Sequence, residues 1–253
     1  MITEFLREIT HEGYRIFSIN DAKNIAKNIG IKSTSVSHIL NNLKTQKLIR
    51  PLWRGHYAIE DNILAGSPLG KFEIGMHLAM EGAISCWSAL SHYGLTDQVL
   101  SKVYLFLPYD SYPKRCITTY SIDGYDYLLI QIQSKHFWGI KTEKVGGEKI
   151  RITDLERTLL DGLTRPHYCG GFREVINAFL IASDRINLEQ LLIYAQKCPI
   201  SIQKRLGWML EYINFGHYAS RLALPKTNYI DKLDIASPRR GTYNKTWMIV
   251  ENY

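Results

Sequence analysis

Apolar residues recur at helical spacing up to residue 46, and then the period changes. Ile2, Phe5, Leu6 and Ile9 share one face and predict a helix over about residues 2–11. Tyr14 to Phe17 reads as a short extended link. Ser18-Ile19-Asn20-Asp21 has the form of a capping box. It opens a second helix whose stripe is Ile19, Ala22, Ile25, Ala26 and Ile29, and Gly30 is placed for the left-handed turn that ends a helix. Ser33 is expected to cap a third helix, 33–46, with Val36, Ile39, Leu40 and Leu43 turned inward. A strand starts at Leu48-Ile49-Arg50. Trp53-Arg54-Gly55 turns it back into His56-Tyr57-Ala58-Ile59. Three helices followed by such a hairpin predict a winged helix-turn-helix over residues 1–60.

Residues 61–70, DNILAGSPLG, read as a linker, leaving 71–253 as a second domain. There the pattern predicts helices near 71–80 and 84–93. Val103–Pro108 is an unbroken apolar run, the mark of a buried strand. Cys116–Ser121 and Tyr127–Gln133 read as further strands, followed by a hairpin across Gly146-Gly147. Thr153-Asp154-Leu155-Glu156 has the form of another capping box, opening a helix to about Leu163. Helical patterns recur at 172–182, 188–197 and 201–213, and Thr246–Glu251 reads as a last strand. Strands first and helices after predict an α+β second domain with a C-terminal group of helices.

Charge sharpens the reading of the first 60 residues. They carry nine Lys and Arg against five Asp and Glu, in a chain of 253 residues with formal net charge +7. Between Asp21 and Glu60 there is no acidic residue, whereas Lys23, Lys27, Lys32, Lys44, Lys47, Arg50 and Arg54 all lie there. A helical unit with charge of one sign suits DNA, because each neutralised phosphate releases counterions and a helix fits the major groove. The outward side of helix 33–46 is small and polar: Ser33, Thr34, Ser35, Ser37, His38, Asn41 and Lys44. The hydroxyls suit phosphates and base edges, His38 suits either, and Asn41 has the geometry to pair with adenine. Arg50, Arg54 and His56 lie on the wing. Arg54, beside Gly55, is placed to reach a backbone phosphate or the minor groove. Trp53 is expected to pack under the wing.

Other chemistry finds little support. Cys86, Cys116, Cys169 and Cys198 form no C-x-x-C pair, so no metal site is expected and the thiols read as reduced. Gly66-Ser67-Pro68-Leu69-Gly70-Lys71 is too short for a P-loop, and Phe72 stands where Ser or Thr would meet magnesium. Ser85, Ser88 and Ser91 near His92 lack a nucleophile elbow. Asp123 and Asp126 precede the strand Tyr127–Gln133, which has no carboxylate of its own for a nuclease centre. Asp154, Glu156, Arg157 and Asp161 read as a charged helix face with i,i+4 pairing. The second-half aromatics read mostly as core. No apolar stretch approaches the roughly 18 residues of a membrane span, and the acids in MITEFLREITHEG do not suit a signal peptide. A cytoplasmic protein with no catalytic residue and no cofactor is expected.

Four segments carry a family resemblance. They are Ala89-Leu90-Ser91-His92-Tyr93-Gly94-Leu95-Thr96, Ile152-Thr153-Asp154-Leu155-Glu156-Arg157-Thr158-Leu159-Leu160-Asp161, Lys204-Arg205-Leu206-Gly207-Trp208 and Trp247-Met248-Ile249-Val250-Glu251-Asn252. In that order behind a winged helix, they resemble the AbiEi-type antitoxins of bacterial abortive-infection systems, also described as transcriptional regulators of viral defence. The resemblance spans nearly the whole chain. It implies a repressor that binds inverted repeats upstream of its own operon. It also implies a C-terminal domain that neutralises a co-encoded nucleotidyltransferase-like toxin in the type IV manner, without a stable complex. The family's DNA-facing positions carry over to Ser35, Ser37, His38, Arg50 and Arg54, and no catalytic residue is implied. An inverted repeat would take two copies on DNA, with Arg239-Arg240 available for further phosphate contacts. Two other readings are a ligand-sensing winged-helix regulator with an apolar pocket near Trp138 or Trp208, and a metal-dependent nuclease.

Overall fold

The structure, a computed structural model, describes residues 2–63, 68–110, 117–222, 224–225 and 229–253. Its first part runs α1 (Ile2–His11), β1 (Ile16–Ser18), α2 (Ile19–Asn28), a 3-10 turn (Ser33–Ser35), α3 (Val36–Thr45), β2 (Ile49–Trp53) and β3 (His56–Ile59). The Ser18 hydroxyl accepts from the Asp21 amide at 3.1 Å, and the Asp21 carboxylate accepts from the Ser18 amide at 2.7 Å. Two amides at the start of α2 are thereby satisfied. Gly30 takes φ +74° in the turn that leaves the helix.

Two expectations change here. The link at Tyr14–Phe17 contains a strand: Ile16, Phe17 and Ser18 pair antiparallel with Ala58, Tyr57 and His56, and β3 is the middle strand of the order β1-β3-β2. Ser33 does not cap α3. It opens the 3-10 turn, in which the Ser35 amide donates to the Lys32 carbonyl at 2.9 Å, so the backbone satisfies what a serine hydroxyl was expected to satisfy. The three helices and this sheet enclose a core built on Phe5, Ile9, Phe17, Ile25, Ile39, Leu43 and Ile49.

The rest of the chain is built on a six-stranded sheet. In chain order come α4 (Lys71–Leu78), β4 (Ala83–Ile84), α5 (Cys86–His92), β5 (Lys102–Tyr109), β6 (Ile117–Ile122), β7 (Tyr125–Gln133), β8 (Ile140–Val145) and β9 (Glu148–Thr153). The sheet order is β6-β7-β5-β4-β9-β8. β5 runs parallel to β7 and β4 to β9; the other pairs are antiparallel. α6 (Leu155–Thr164), α7 (Phe172–Ala182), α8 (Leu188–Ala195) and α9 (Ile200–Tyr212) follow. A small sheet then forms from β10 (Asp231–Lys232), β11 (Thr242–Asn244) and β12 (Ile249–Glu251). The chain is a mixed α+β protein.

Burial on both faces explains the apolar run in β5. Tyr104 and Phe106 join Ile130 and Ile132 against the helices that follow, whereas Val103 and Leu105 join Tyr127 and Leu129 on the opposite face. That opposite face also receives Ile16, Leu52 and Trp53 from the first part of the chain. Arg15 pairs with Glu73 at 3.3 Å across the same junction. Trp53 therefore packs against the sheet domain, and within its own hairpin its ring stacks on His56.

The capping box expected at Thr153 does not form; a single side-chain cap stands one residue later. Thr153 ends β9, and Asp154 is the cap, accepting from the Arg157 amide at 2.8 Å. Asp126 lies inside β7 rather than before it, so that strand does carry a carboxylate; the Ser121 hydroxyl donates to it at 2.6 Å. Cys116 at the start of a predicted strand, and residues 64–67 of the predicted linker, lie outside the described residues.

Candidate nucleic-acid interface

The inward stripe of α3, Val36, Ile39, Leu40 and Leu43, is wholly buried, which fixes what the opposite side shows. Ser33, Thr34, Ser37, His38 and Asn41 are exposed there, and Ser35 and Lys44 are half-buried. The Asn42 carboxamide lies 3.2 Å from the His38 Nε2 atom, one turn on, and the Thr45 hydroxyl donates to the Asn41 carbonyl at 3.0 Å. These contacts stiffen the outward face without covering it.

The hairpin β2–β3 stands beside this helix. Arg54 is exposed at its tip, and Gly55 has φ +76°. The Gly55 carbonyl accepts from the Ile19 amide at 2.8 Å, tying the tip to the start of α2. His56 is half-buried and its ring stacks on Trp53 with centroids 4.4 Å apart, so it acts as a spacer within the hairpin.

Arg50 stands apart from the other nine residues. Its Nε and Nη2 atoms donate to Asp123 Oδ2 at 3.3 and 3.0 Å, and its Nη1 donates to Glu60 at 3.3 Å. Asp123 belongs to the β6–β7 turn of the sheet domain. Burial works against the guanidinium charge, but the Asp123 hydrogen bond and the surrounding carboxylates hold the pKa above its ordinary value. Arg50 lies on the hairpin as the sequence places it, and its charge is already answered by carboxylates from both parts of the chain. Nothing local in the sequence signals this, because Asp123 lies 73 positions away.

The motifs of the second half are built into the interior. Arg157 and Asp161 are 3% and 2% exposed, so they form an internal ion pair at 2.9 Å and not a charged surface. Arg157 also donates to the carbonyls of His136 and Trp138, and its guanidinium lies 4.0 Å from the Trp138 ring centroid. His92 meets Glu143 at 2.6 Å, and the Tyr93 hydroxyl donates to the Thr153 carbonyl at 2.7 Å. A hydrogen bond from Lys141, against the effect of burial and with help from His92, holds the Glu143 carboxyl below its usual range. Lys204 is buried and donates to Asp231 at 2.8 Å. Trp208 donates to Glu251 at 2.9 Å and stacks on Tyr212. The Asn252 carboxamide donates to the carbonyls of Asp234, Ser237 and Pro238. Arg239 is engaged by the Ile230 carbonyl, and Arg240 is exposed.

Trp138 lines a small pocket together with Leu160, Cys198, Pro199 and the charged Arg157, Asp161 and Lys197. Arg157 and Lys197 cover Trp138, and Trp208 is packed among Phe172, Tyr212 and Tyr253. Among the described residues no three His, Cys, Asp or Glu side chains converge to hold a metal ion, and no helix is long and apolar enough to cross a membrane.

No protein-family model matches this chain, and no curated protein matches it. Among solved structures it is similar to the RV2827C protein from Mycobacterium tuberculosis. The TM-score is 0.71 at 13% sequence identity, over 98% of this chain and 90% of that one. At that identity the likeness is one of fold.

Proposed function

We propose that residues 1–60 form a winged helix-turn-helix that binds duplex DNA, with α3 in the major groove and the β2–β3 hairpin on the backbone. One observation carries this reading: the outward face of α3 is exposed, polar and free of carboxylates from its own segment, with Lys44 and Arg54 beside it. The order helix–strand–helix–helix–strand–strand, with β3 between β1 and β2, agrees with it. Winged helices also bind proteins, so charge and exposure, not topology, favour DNA. In this reading residues 61–70 link the reader to an effector domain, 71–253. The resemblance to AbiEi-type antitoxins extends the proposal to an autorepressor that occupies inverted repeats as two copies. It would counteract a co-encoded nucleotidyltransferase-like toxin without a stable complex. The protein would then be cytoplasmic and no enzyme.

The test is fluorescence anisotropy with DNA from upstream of the gene, across a salt series. Affinity should fall with a log–log slope of about −0.9 per neutralised phosphate. Arg54→Ala should weaken binding to all sequences alike, and Asn41→Ala should relax preference at one base position by about 1–3 kcal/mol. Unchanged affinity in both variants would reject the docking. Co-expression with the neighbouring reading frame, scored as growth rescue, tests the antitoxin part separately.

A further inference from the structure

The parallel strands β5 and β7 end side by side at Tyr109 and Gln133. Their C-terminal ends open onto a cavity of about 310 Å³, at the small end of the range for small-molecule sites. The connection from α6 to α7 closes its other side with Arg165, His167 and Tyr168. Among the described residues no carboxylate lines it.

Charge balance around the cavity is one-sided. Arg157 and Arg165 both turn to Asp161, at 2.9 and 3.8 Å. Arg157 holds that carboxylate in the interior with a direct hydrogen bond. Two guanidiniums against one carboxylate leave a net positive charge, and Arg165, the more exposed of the two, carries it to the cavity wall. The His167 ring lies 4.0 Å from the Tyr168 ring. Burial and then the charge of Arg165 keep the His167 pKa below its usual value, so near neutral pH its ring can both donate and accept. The lining thus offers one fixed cation, the two imidazoles of His136 and His167, two tyrosine rings and the amide-bearing Gln131 and Gln133. A guanidinium matches a phosphate, tyrosine rings match the face of a base, and carboxamides match its hydrogen-bonding edge.

We propose that this cavity binds a nucleoside monophosphate, with the phosphate at Arg165 and the base against the rings of Tyr109 and Tyr168. The inference does not depend on whether residues 1–60 bind DNA. The volume favours one nucleotide over a dinucleotide or a polynucleotide strand.

Isothermal titration calorimetry of the full chain with AMP, GMP, CMP and UMP tests it, with the matching nucleosides and inorganic phosphate as further probes. At least one monophosphate should bind about ten-fold more tightly than its nucleoside and than phosphate alone, as expected for a charge-assisted contact added to stacking. Arg165→Gln should lower that affinity about ten-fold. Because Arg165 also faces Asp161, the exposed His167→Ala serves as a second variant; it should melt like the parent protein and still bind more weakly. Absence of binding by all four monophosphates would overturn the proposal. So would equal affinity in both folded variants, or phosphate binding as tightly as the best nucleotide.

Discussion

Asp123→Asn removes the charge that holds Arg50 and changes little else. Asp123 and Gly124 are the two loop residues of the β6–β7 hairpin, with φ +48° and +77°. Asparagine accepts that left-handed geometry as well as aspartate does, so the turn should persist. The lost contact is an ion pair whose side chains are 23% and 34% exposed. Pairs of that exposure are worth about 0.2–1 kcal/mol. Two N–H groups share one carboxylate oxygen here, which places the contact near the upper end. Glu60 remains at 3.3 Å, so Arg50 keeps a partner in the variant. The melting temperature should therefore fall by no more than about 2–4 °C.

DNA affinity should move the other way. If Arg50 reaches a phosphate, it has to leave Asp123 first, and the variant removes that cost. A gain of about 1 kcal/mol is about five-fold in affinity, with the salt slope unchanged, because the same number of phosphates is neutralised. Anisotropy on one DNA fragment, with melting curves for the same preparations, measures both. In an Arg50→Gln background the Asp123 substitution should change neither quantity, because the coupling is gone. A lower melting temperature with unchanged DNA affinity would refute the reasoning and leave Arg50 as a strut between the two parts of the chain.

Arg157→Leu should cost about 3–5 kcal/mol, because it leaves the Asp161 charge buried with, among the described residues, only Arg165, at 3.8 Å, to answer it; chemical denaturation measures this, and a loss under 1 kcal/mol would contradict the assigned burial. Gly207→Ala should cost about 1–3 kcal/mol, since a methyl group there runs into the Trp247 indole; proteolysis of the C-terminal segment should quicken with it. The Glu143 carboxyl is held below its usual pKa, so its contribution is complete above about pH 4.3 and is lost as pH falls through its lowered value. Glu143→Gln should therefore flatten the acid side of the stability profile, and an unchanged profile would count against the His92–Glu143–Lys141 cluster.

Where a pattern reflects burial of one face or of both, the chain is legible. The stripe of α3 and the unbroken run of β5 arise in this way, and both elements lie where the sequence puts them. β1 and β4, three and two residues long, are too short to show a period and form only because longer strands offer them partners. At Thr153-Asp154-Leu155-Glu156 either of the first two residues can cap, and pairing of β9 with β8 decides it by claiming Thr153. Spacing shows that Arg157 can meet Asp161, but not that Glu156 through Leu163 are all buried, because the helix is covered by the sheet on one side and by other helices elsewhere. The outward face of α3 is readable as the complement of its stripe. The state of Arg50 is not, since it depends on a hairpin far along the chain.

The same contrast governs how the resemblance can be used. Lys204 and Arg205 are buried, and they tie α9 to Asp231 and to the Lys232 carbonyl. Asn252 closes the loop through Asp234 to Pro238, and Trp247 lies over Gly207. These segments hold the small C-terminal sheet against the helices, and burial alone explains why they have the residues they have. A substitution in them that abolished toxin rescue would report loss of this packing unless the variant still melted like the parent. Exposed residues with few structural duties, such as Leu180 and Ile181 on α7 or Arg240 beyond β10, are the positions where loss of rescue at unchanged stability would mark a working surface.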